Sequence, residues 1–508
     1  MRIDQNYLLN EISDARITES FDLFNKEITS MDSNAFKGLT QITSIDLSSN
    51  KLTSIESEIF NCLINLKSLN ISSNNISSLD SNAFQGLTRL EKVDFSSNNI
   101  ESFKINILNS LELLNRFDLA FSLFNTYRDY ASLTKSLYKN EYCTVNLKEI
   151  DFEFNSIKRI ESYSFDGLFN LERIGLASNQ IEYIDANAFR DLNKLKSIDL
   201  SYNKLSYLDP SLFKNLKSLT SIRLNNNILE SIDANAFKDL ANVTVIDFDQ
   251  NRLAEVDSKL FENLIKLELI YLSNNKIESL EYSVFKGLIN LKGLHLYGNK
   301  LRSIDSRLLN ELVNLREFNA SKNYIEKIEP KTFEGLLNLA DIYLNENQIK
   351  NIDFDLFQGL SSARIIDLNT NLIESIDHRL FRNLAKLERI YLNNNRIEFL
   401  DERTFNNLLC LSEVTLSKNK ISFLDSKVFT GLSKLSIIDI SENEICFIEE
   451  NLFMDTNKLF SVILLNDNYL NKKNEYYKET KNSNGTSTKW ISFAKSNKKQ
   501  KQNKSKLK

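Results

Sequence analysis

An asparagine recurs every 24 residues along most of this 508-residue chain, and that interval constrains the fold more than any other feature. Leucine, isoleucine and phenylalanine keep fixed positions around each of these marker asparagines. A short fixed period predicts a stack of repeats, because one unit buries its apolar face only against its neighbours. The markers are Asn50, Asn74 and Asn98, followed by Asn155, Asn179, Asn203, Asn227, Asn251, Asn275, Asn299, Asn323, Asn347, Asn371, Asn395, Asn419 and Asn443.

The residues before each marker predict a β-strand. In the repeat around Asn203, apolar Ile198 and Leu200 alternate with polar Ser197 and Asp199. An alternation with a period of two is typical of a short strand with one buried face. Equivalent strands 24 residues apart should therefore lie side by side in a parallel sheet. The marker follows at a turn, where its amide can pair with buried backbone groups.

The remainder of each repeat predicts a short return segment behind the sheet. Leu205 and Leu208 point back to the core, and Asp209 follows. A carboxylate at this position can cap a short helix or 3₁₀ turn. Pro210 comes directly after it, where a missing N–H is tolerated at the first helical position. We interpret the recurring acidic residues as caps rather than as a catalytic series.

The pattern LxxLxLxxNxLxxLxxxxFxxL resembles the typical 24-residue class of leucine-rich repeats. This resemblance implies an α/β solenoid, a horseshoe with a parallel sheet on its concave side and short helices, 3₁₀ turns or loops on its convex side. It also implies a binding role, usually for proteins and sometimes for glycans or lipids, as in receptor ectodomains, matrix proteoglycans and secreted carrier proteins. The chain departs from most members by lacking cysteine-rich caps and a recognisable signal sequence.

Three segments are expected along the chain. Residues 1–20 form an N-terminal capping segment, and residues 21–470 form a solenoid of about 19 repeats. Residues 471–508 hold twelve Lys and two Glu, a charge of +10. Because the net charge of the whole chain is −5, the other residues carry −15. Such a polar, basic tail is expected to be disordered.

The regular spacing is interrupted once, with an irregular insertion near residues 125–146. Ser122 occupies the next marker position after Asn98, and Asn155 follows 33 residues later. The extra residues include Tyr127, Tyr130 and Cys143. They are interpreted either as a longer turn behind the sheet or as a protruding loop that contacts a partner.

Enzymatic and metal sites are not indicated by the residues available. The chain has two histidines and eleven glycines, and no GxxxxGK[ST], GxGxxG or HExxH sequence. The four cysteines lack metal-binding spacing, and no apolar stretch reaches the roughly 20 residues of a membrane helix. We therefore predict no catalytic residue, no metal, no cofactor and no small-molecule substrate.

Outward-facing strand residues supply the candidate binding site, because side chains alternate across a strand. The central row, four residues before each marker, begins with acidic residues that include Asp94, Asp118 and Asp151. Its second half is rich in tyrosine, and aromatic residues and arginine are the types that anchor protein interfaces. The predicted partner-binding residues are Arg223, Tyr271, His295, Tyr297, Tyr343, Asp367, Arg389 and Tyr391.

The sequence thus predicts a non-enzymatic scaffold, monomeric or dimeric, that binds a protein on its concave face. Two alternatives remain open. One is a structural or matrix-type protein that binds polysaccharide or self-associates, and the other is an intracellular adaptor whose basic tail contacts membrane or nucleic acid. The family resemblance favours an extracellular or cell-surface location, with the cytoplasm as the alternative.

Overall fold

The computed structural model describes residues 1–11, 18–79, 84, 87–102, 146–446, 448–449, 452–453, 456, 461–463, 468, 478–481 and 487–490. The chain divides into two compact units. The first comprises Met1–Ile277 and Ser283–Leu291, and the second comprises Glu278–Tyr282 and Lys292–Lys508. Each unit is a parallel-strand solenoid with little helix, as the repeat pattern predicts.

Within its described residues, the first unit contains one short helix and a series of two- and three-residue strands. In chain order its elements are β1 (Arg2–Ile3), α1 (Gln5–Glu11), β2 (Ser20–Asp22), β3 (Ser30–Met31), β4 (Ser44–Asp46), β5 (Ser54–Ile55), β6 (Ser68–Asn70), β7 (Ser78–Leu79), β8 (Lys92–Asp94), β9 (Glu149–Asp151), β10 (Arg159–Ile160), β11 (Arg173–Gly175), β12 (Tyr183–Ile184), β13 (Ser197–Asp199), β14 (Ser221–Arg223), β15 (Val245–Asp247) and β16 (Leu269–Tyr271).

The second unit continues the same pattern. Its strands are β17 (Gly293–His295), β18 (Ser303–Ile304), β19 (Glu317–Asn319), β20 (Lys327–Ile328), β21 (Asp341–Tyr343), β22 (Ile365–Asp367), β23 (Arg389–Tyr391), β24 (Glu413–Thr415), β25 (Ile437–Asp439), β26 (Ser461–Ile463), β27 (Lys478–Lys481) and β28 (Ser487–Trp490). Strands β27 and β28 pair antiparallel, and β28 also pairs antiparallel with β26.

Successive repeats pair in register, so residues 24 positions apart lie side by side. In the first unit Ile198 is the Cα partner of Ile222, and in the second Ile342 is the partner of Ile366. These main-sheet strands are parallel, and their central residues are buried. The short strands behind them form separate two-stranded sheets, β1 with β3, β5 with β7, β10 with β12 and β18 with β20.

The marker asparagines join neighbouring turns through buried hydrogen bonds. The side-chain amide of Asn203 donates to the carbonyl of Leu176 in the previous repeat (2.9 Å) and to Leu200 in its own (3.2 Å). Its Oδ1 accepts the backbone N–H of Ile181 (2.9 Å). One side chain thus satisfies three backbone groups that have no strand partner, which explains why the position requires an amide.

Behind the sheet the chain forms hydrogen-bonded turns rather than α-helices. The carboxylate of Asp209 accepts the N–H of Ser211 (2.8 Å), as predicted for a cap, and the N–H of Leu212 bonds to the carbonyl of Asp209 (3.0 Å). Phenylalanine rings stack beneath these turns. In the second unit Phe357, Phe381, Phe405 and Phe429 lie 6.0–6.4 Å apart, centroid to centroid.

The described strands also locate the interruption in the repeat pattern. Residues 103–145, which include most of the predicted insertion, lie outside the described part of the chain. Strand β8 pairs directly with β9, with Asp94 beside Asp151. Asp118, which the spacing predicts in the same row, lies outside the described residues.

The described residues contain no helix with the length and apolar character that a bilayer crossing requires. The predicted Lys-rich tail lies almost wholly outside the described residues, apart from β27 and β28.

Candidate functional site

In each unit, the outward side chains of the main-sheet strands form a surface that we call the strand face of that unit. Along β21 and the residue after it, Ile342 and Leu344 are fully buried, whereas Tyr343 between them is partly exposed. The same alternation places every predicted binding residue outward, because neighbouring side chains point to opposite faces of a strand.

In the first unit the strand face carries Arg223 between two carboxylates. Arg223 lies beside Asp199 and Asp247 in register, and its guanidinium is 3.4 Å from Asp199. Tyr271 follows Asp247 in the same row, while Val245 and Leu269 pair beside them and are partly exposed. This end of the first unit therefore presents one arginine, one tyrosine and two apolar side chains.

Earlier strands of the first unit carry a row of acidic residues that crowd one another. A Cβ atom on Gly175 would lie 2.7 Å from Oδ1 of Asp151, so a larger residue there would require that carboxylate to shift. Burial raises the pKa of Asp151 and of Glu153, and neighbouring carboxylates raise both further. Within the described residues no group of three or more His, Cys, Asp or Glu side chains is arranged to hold a metal ion.

His295 and Tyr297 lie on or just after β17 of the second unit. The Nδ1 atom of His295 is 3.8 Å from Oε1 of Glu317 on the adjacent strand. Burial lowers the pKa of His295, and Glu317 opposes that effect. Lys322 places its Nζ 5.6 Å from the centroid of the Tyr297 ring, within the range of a cation–π contact.

The central strands of the second unit bring Tyr343, Asp367 and Tyr391 together. The Cα partners run from Tyr343 to Asp367 and from Asp367 to Tyr391, so the carboxylate lies between two tyrosines. Burial raises the pKa of both hydroxyls, which are therefore protonated donors at neutral pH. The Tyr391 hydroxyl donates to Oε2 of Glu413 (3.2 Å).

Asp367 differs from the surrounding carboxylates in its electrostatic environment. Its Oδ1 accepts the N–H of Asn369 (3.0 Å) and the side-chain amide of the same residue (2.6 Å). These bonds favour the ionised form, but burial outweighs them and raises the pKa of Asp367 to about 6.

Arg389 is the most exposed of the predicted binding residues in this unit. Its side chain is 47% exposed, and Nε lies 3.9 Å from Oε2 of Glu413. Surface pairs at this distance contribute little to stability, so the guanidinium can reorient toward another carboxylate with little loss.

The structure assigns the eight predicted residues to two units. Arg223 and Tyr271 belong to the first, and the other six belong to the second. Sequence reasoning missed Glu317, which lies near His295, and Glu413, which contacts Arg389 and Tyr391. It also missed the neighbouring ion pair between Asp341 and Arg364. The signal was present for the three carboxylates, because each lies six positions before a marker and so faces the same side as the central row.

Family comparisons agree with this geometry. A model for the BspA type leucine rich repeat region, built from six copies, matches residues 15–131, 135–268 and 213–336, more than half of the chain. The chain is a leucine-rich repeat protein. A second leucine rich repeat model matches residues 313–373, 361–421 and 410–470. No curated protein matches the sequence.

Solved structures of other leucine-rich repeat proteins share the fold. A protein of Leptospira interrogans is 21% identical over 87% of this chain and 94% of its own, with a TM-score of 0.63. A chain of the Drosophila Toll–Spätzle complex is 20% identical, covering 84% of this chain and 57% of its own (TM-score 0.67). The plant peptide hormone receptor RGFR1 in complex with RGF2 is 21% identical, covering 84% and 65% (TM-score 0.61).

Proposed function

We propose that this leucine-rich repeat protein is a non-enzymatic recognition scaffold that binds a protein partner. The contact surface lies on the strand face of the second unit and is formed by the outward residues of β17, β19 and β21–β24. The observation that carries the proposal is the in-register placement of Tyr343 on β21 and Tyr391 on β23, on either side of β22, with Tyr297 on the same face.

Energetics support a protein rather than a small molecule as the ligand. Tyrosine offers a large apolar area and a hydroxyl while losing few rotamers, and such residues dominate the binding energy of protein interfaces. Arg389 and Asp367 add charge between the rings. Within the fold family, Toll is found in complex with Spätzle and the plant receptor RGFR1 with RGF2. Both neighbours support a recognition role for this fold.

Site-specific photocrosslinking tests the contact surface. A photoreactive phenylalanine analogue at position 343 or 391 is expected to trap the partner from extracts and culture fluid of the source cells. The matched control is the same analogue at Phe399, an aromatic residue that is 57% exposed but lies away from the main-sheet strands. Equal trapping from all three positions, or trapping from position 399 alone, would contradict the proposal.

Truncation of the same residues gives an independent measurement. Replacing Tyr297, Tyr343 and Tyr391 with alanine should weaken binding of the trapped partner by at least tenfold, because each is an interface anchor. The variant Phe399→Ala should change binding by less than twofold. An extracellular location is part of the same proposal, and the compartment in which the trapped partner resides tests it.

A further inference from the structure

Asp367 on the strand face of the second unit is a carboxylate without a positive partner that lies between two tyrosines. Asp341 pairs with the Arg364 guanidinium at 3.0 Å, and Glu413 has Arg389 at 3.9 Å and the Tyr391 hydroxyl at 3.2 Å. Asp367 lies among these groups, yet within the described residues it forms no ion pair with any lysine, arginine or histidine. Both hydrogen bonds to its carboxylate come from Asn369 and end on Oδ1, so Oδ2 accepts none from the described residues.

The two tyrosines beside Asp367 have the right separation to hold a cation. Tyr343 and Tyr391 are two strands apart, a Cα separation of roughly 10 Å at the usual strand spacing. A cation above Asp367 would lie midway between the two tyrosine-bearing strands, about 5 Å from each of them. This is within the roughly 6 Å over which aromatic faces attract cations. The carboxylate below would supply the opposite charge.

The energetic state of the unbound protein also favours such a ligand. Asp367 is ionised at pH 7 because its pKa of about 6 lies below that pH, although burial disfavours the charge. A cation brought by a partner would relieve this destabilisation. Arg364, just before β22, and Arg389 on β23 are already directed to Asp341 and Glu413.

We propose that Asp367, flanked by Tyr343 and Tyr391, is the receiving site for one basic side chain of the protein partner, preferentially arginine. The proposal rests on the strand face of the second unit being the binding surface. A planar guanidinium can stack against a tyrosine ring while donating to Oδ2, whereas the rounder ammonium of lysine makes only one of these contacts well. The site therefore distinguishes partners by a single exposed arginine.

Peptide selection on the full chain tests this inference with a defined probe. A phage-displayed library of random 12-residue peptides is panned on the immobilised protein at pH 7.5, and binding of the recovered peptides is measured by fluorescence anisotropy. We expect enrichment of arginine at one position. Replacing that arginine with citrulline, which has nearly the same shape but no charge, should weaken binding at least tenfold.

Two variants form a matched pair for the same measurement. Asp367→Asn removes the charge but keeps the Oδ1 acceptor, and it should weaken binding at least tenfold. Asp439→Asn removes an equivalent charge from β25, where Oδ1 likewise accepts the N–H and hydroxyl of Ser441 (3.0 and 2.7 Å). This control should change binding by less than twofold.

The outcomes separate the inference from the proposed function. Peptides that lose binding with the tyrosine variants but tolerate both citrulline and Asp367→Asn would overturn the cation site and leave the binding surface standing. Peptides that are insensitive to every strand-face substitution of the second unit would overturn both. Equal losses in Asp367→Asn and Asp439→Asn would indicate general charge attraction, and would also overturn the site.

Discussion

Individual side chains in this protein either stabilise the fold from within or face outward on the sheet. The marker asparagines show the first role most clearly. Asn347 is buried, and its amide donates to the carbonyls of Ala320 (3.0 Å) and Leu344 (3.1 Å). Its Oδ1 accepts the N–H of Ile325 (3.0 Å). Removing such a partner from a buried backbone group is strongly destabilising, because water cannot reach the group to replace the lost hydrogen bond.

Replacing Asn347 with alanine should therefore lower the free energy of unfolding by about 3 kcal/mol, since several buried groups lose a partner. Urea denaturation followed by circular dichroism measures the change. The exposed Asn351 in the same repeat is the control, and Asn351→Ala should stay within about 0.5 kcal/mol of wild type. Similar midpoints for the two variants would contradict the role of the amide.

Asp367 illustrates the second role, that of an outward side chain available for binding. Its charged form is less favourable in the folded protein than in water, because the carboxylate is partly buried. Its pKa is raised from 3.8 to about 6 in the folded protein by burial. Below about pH 4 the carboxyl is protonated in both folded and unfolded chains, and its full contribution is present. As pH rises from about 4 to about 6, the unfolded chain ionises while the folded carboxyl stays largely protonated, so stability is lost across this window.

The variant Asp367→Asn should remove this loss. Its advantage over wild type should grow between pH 4 and 6 and then stay constant, reaching on the order of 2 kcal/mol. Unfolding midpoints of both proteins across this pH range provide the measurement. A difference that does not vary with pH would show that the carboxyl titrates at its ordinary value.

At the scale of an element, each back turn is held by its phenylalanine and its acidic cap. Phe405 is fully buried, with ring centroids 6.2 Å from Phe381 and 6.0 Å from Phe429. Each ring contacts its equivalent in the next repeat, so the turns stack without helical hydrogen bonding. The turn itself needs only its capping carboxylate and a few i to i−3 bonds.

Phe405→Ala should destabilise the protein by about 3–5 kcal/mol, because a large side chain is removed from a packed stack. Phe399→Ala, in the same repeat but 57% exposed, should change stability by less than about 0.5 kcal/mol. Thermal or urea unfolding of the pair distinguishes burial from aromatic content. Equal effects would mean that the stack contributes little.

Much of each element could be predicted from sequence, because a fixed period determines which residues are neighbours. The buried Ile198 and the outward Asp199 follow directly from alternation and were both predicted. The side-chain pairs were not, since Arg389 has several carboxylates within reach and the choice of Glu413 depends on rotamers and burial. The return segment was predicted only as a helix, a 3₁₀ turn or a loop, because a single acidic cap suits all three.

The interruption shows where the period fails as a guide. Phe117 and Leu119 match the strand pattern, yet Ser122 stands in place of the marker. A hydroxyl cannot donate to two carbonyls while accepting an N–H, as the amide of Asn203 does. The leucine spacing and the marker position therefore give different predictions for this segment, which lies outside the described residues.

Across the whole molecule, stability is the sum of repeats and their interfaces, as in other linear repeat proteins. Removing one complete period should leave the remaining turns in register. Deletion of residues 396–419 joins Asn395 to Lys420 and keeps the 24-residue marker interval. Lys420 occupies the same repeat position as the residue that normally follows Asn395. The product should fold cooperatively, with a strand-type circular dichroism spectrum and a lower unfolding midpoint.

Deletion of half a period gives the contrasting case. Removing residues 396–407 leaves an incomplete repeat whose buried leucines no longer meet their equivalents. We expect loss of the cooperative transition and poor solubility. If both deletions behaved alike, the additive description of the second unit would be wrong.

The separation of inward from outward positions within every 24-residue unit has an evolutionary consequence. Ile342 and Ile366 maintain the architecture, while Tyr343 and Asp367 beside them are free to change without repacking the interior. New specificities can therefore arise by point mutation of a few displayed residues, or by duplication and unequal recombination of whole repeats, without first acquiring compensating stability. A gene of this kind can diversify its recognition repertoire while its scaffold stays constant.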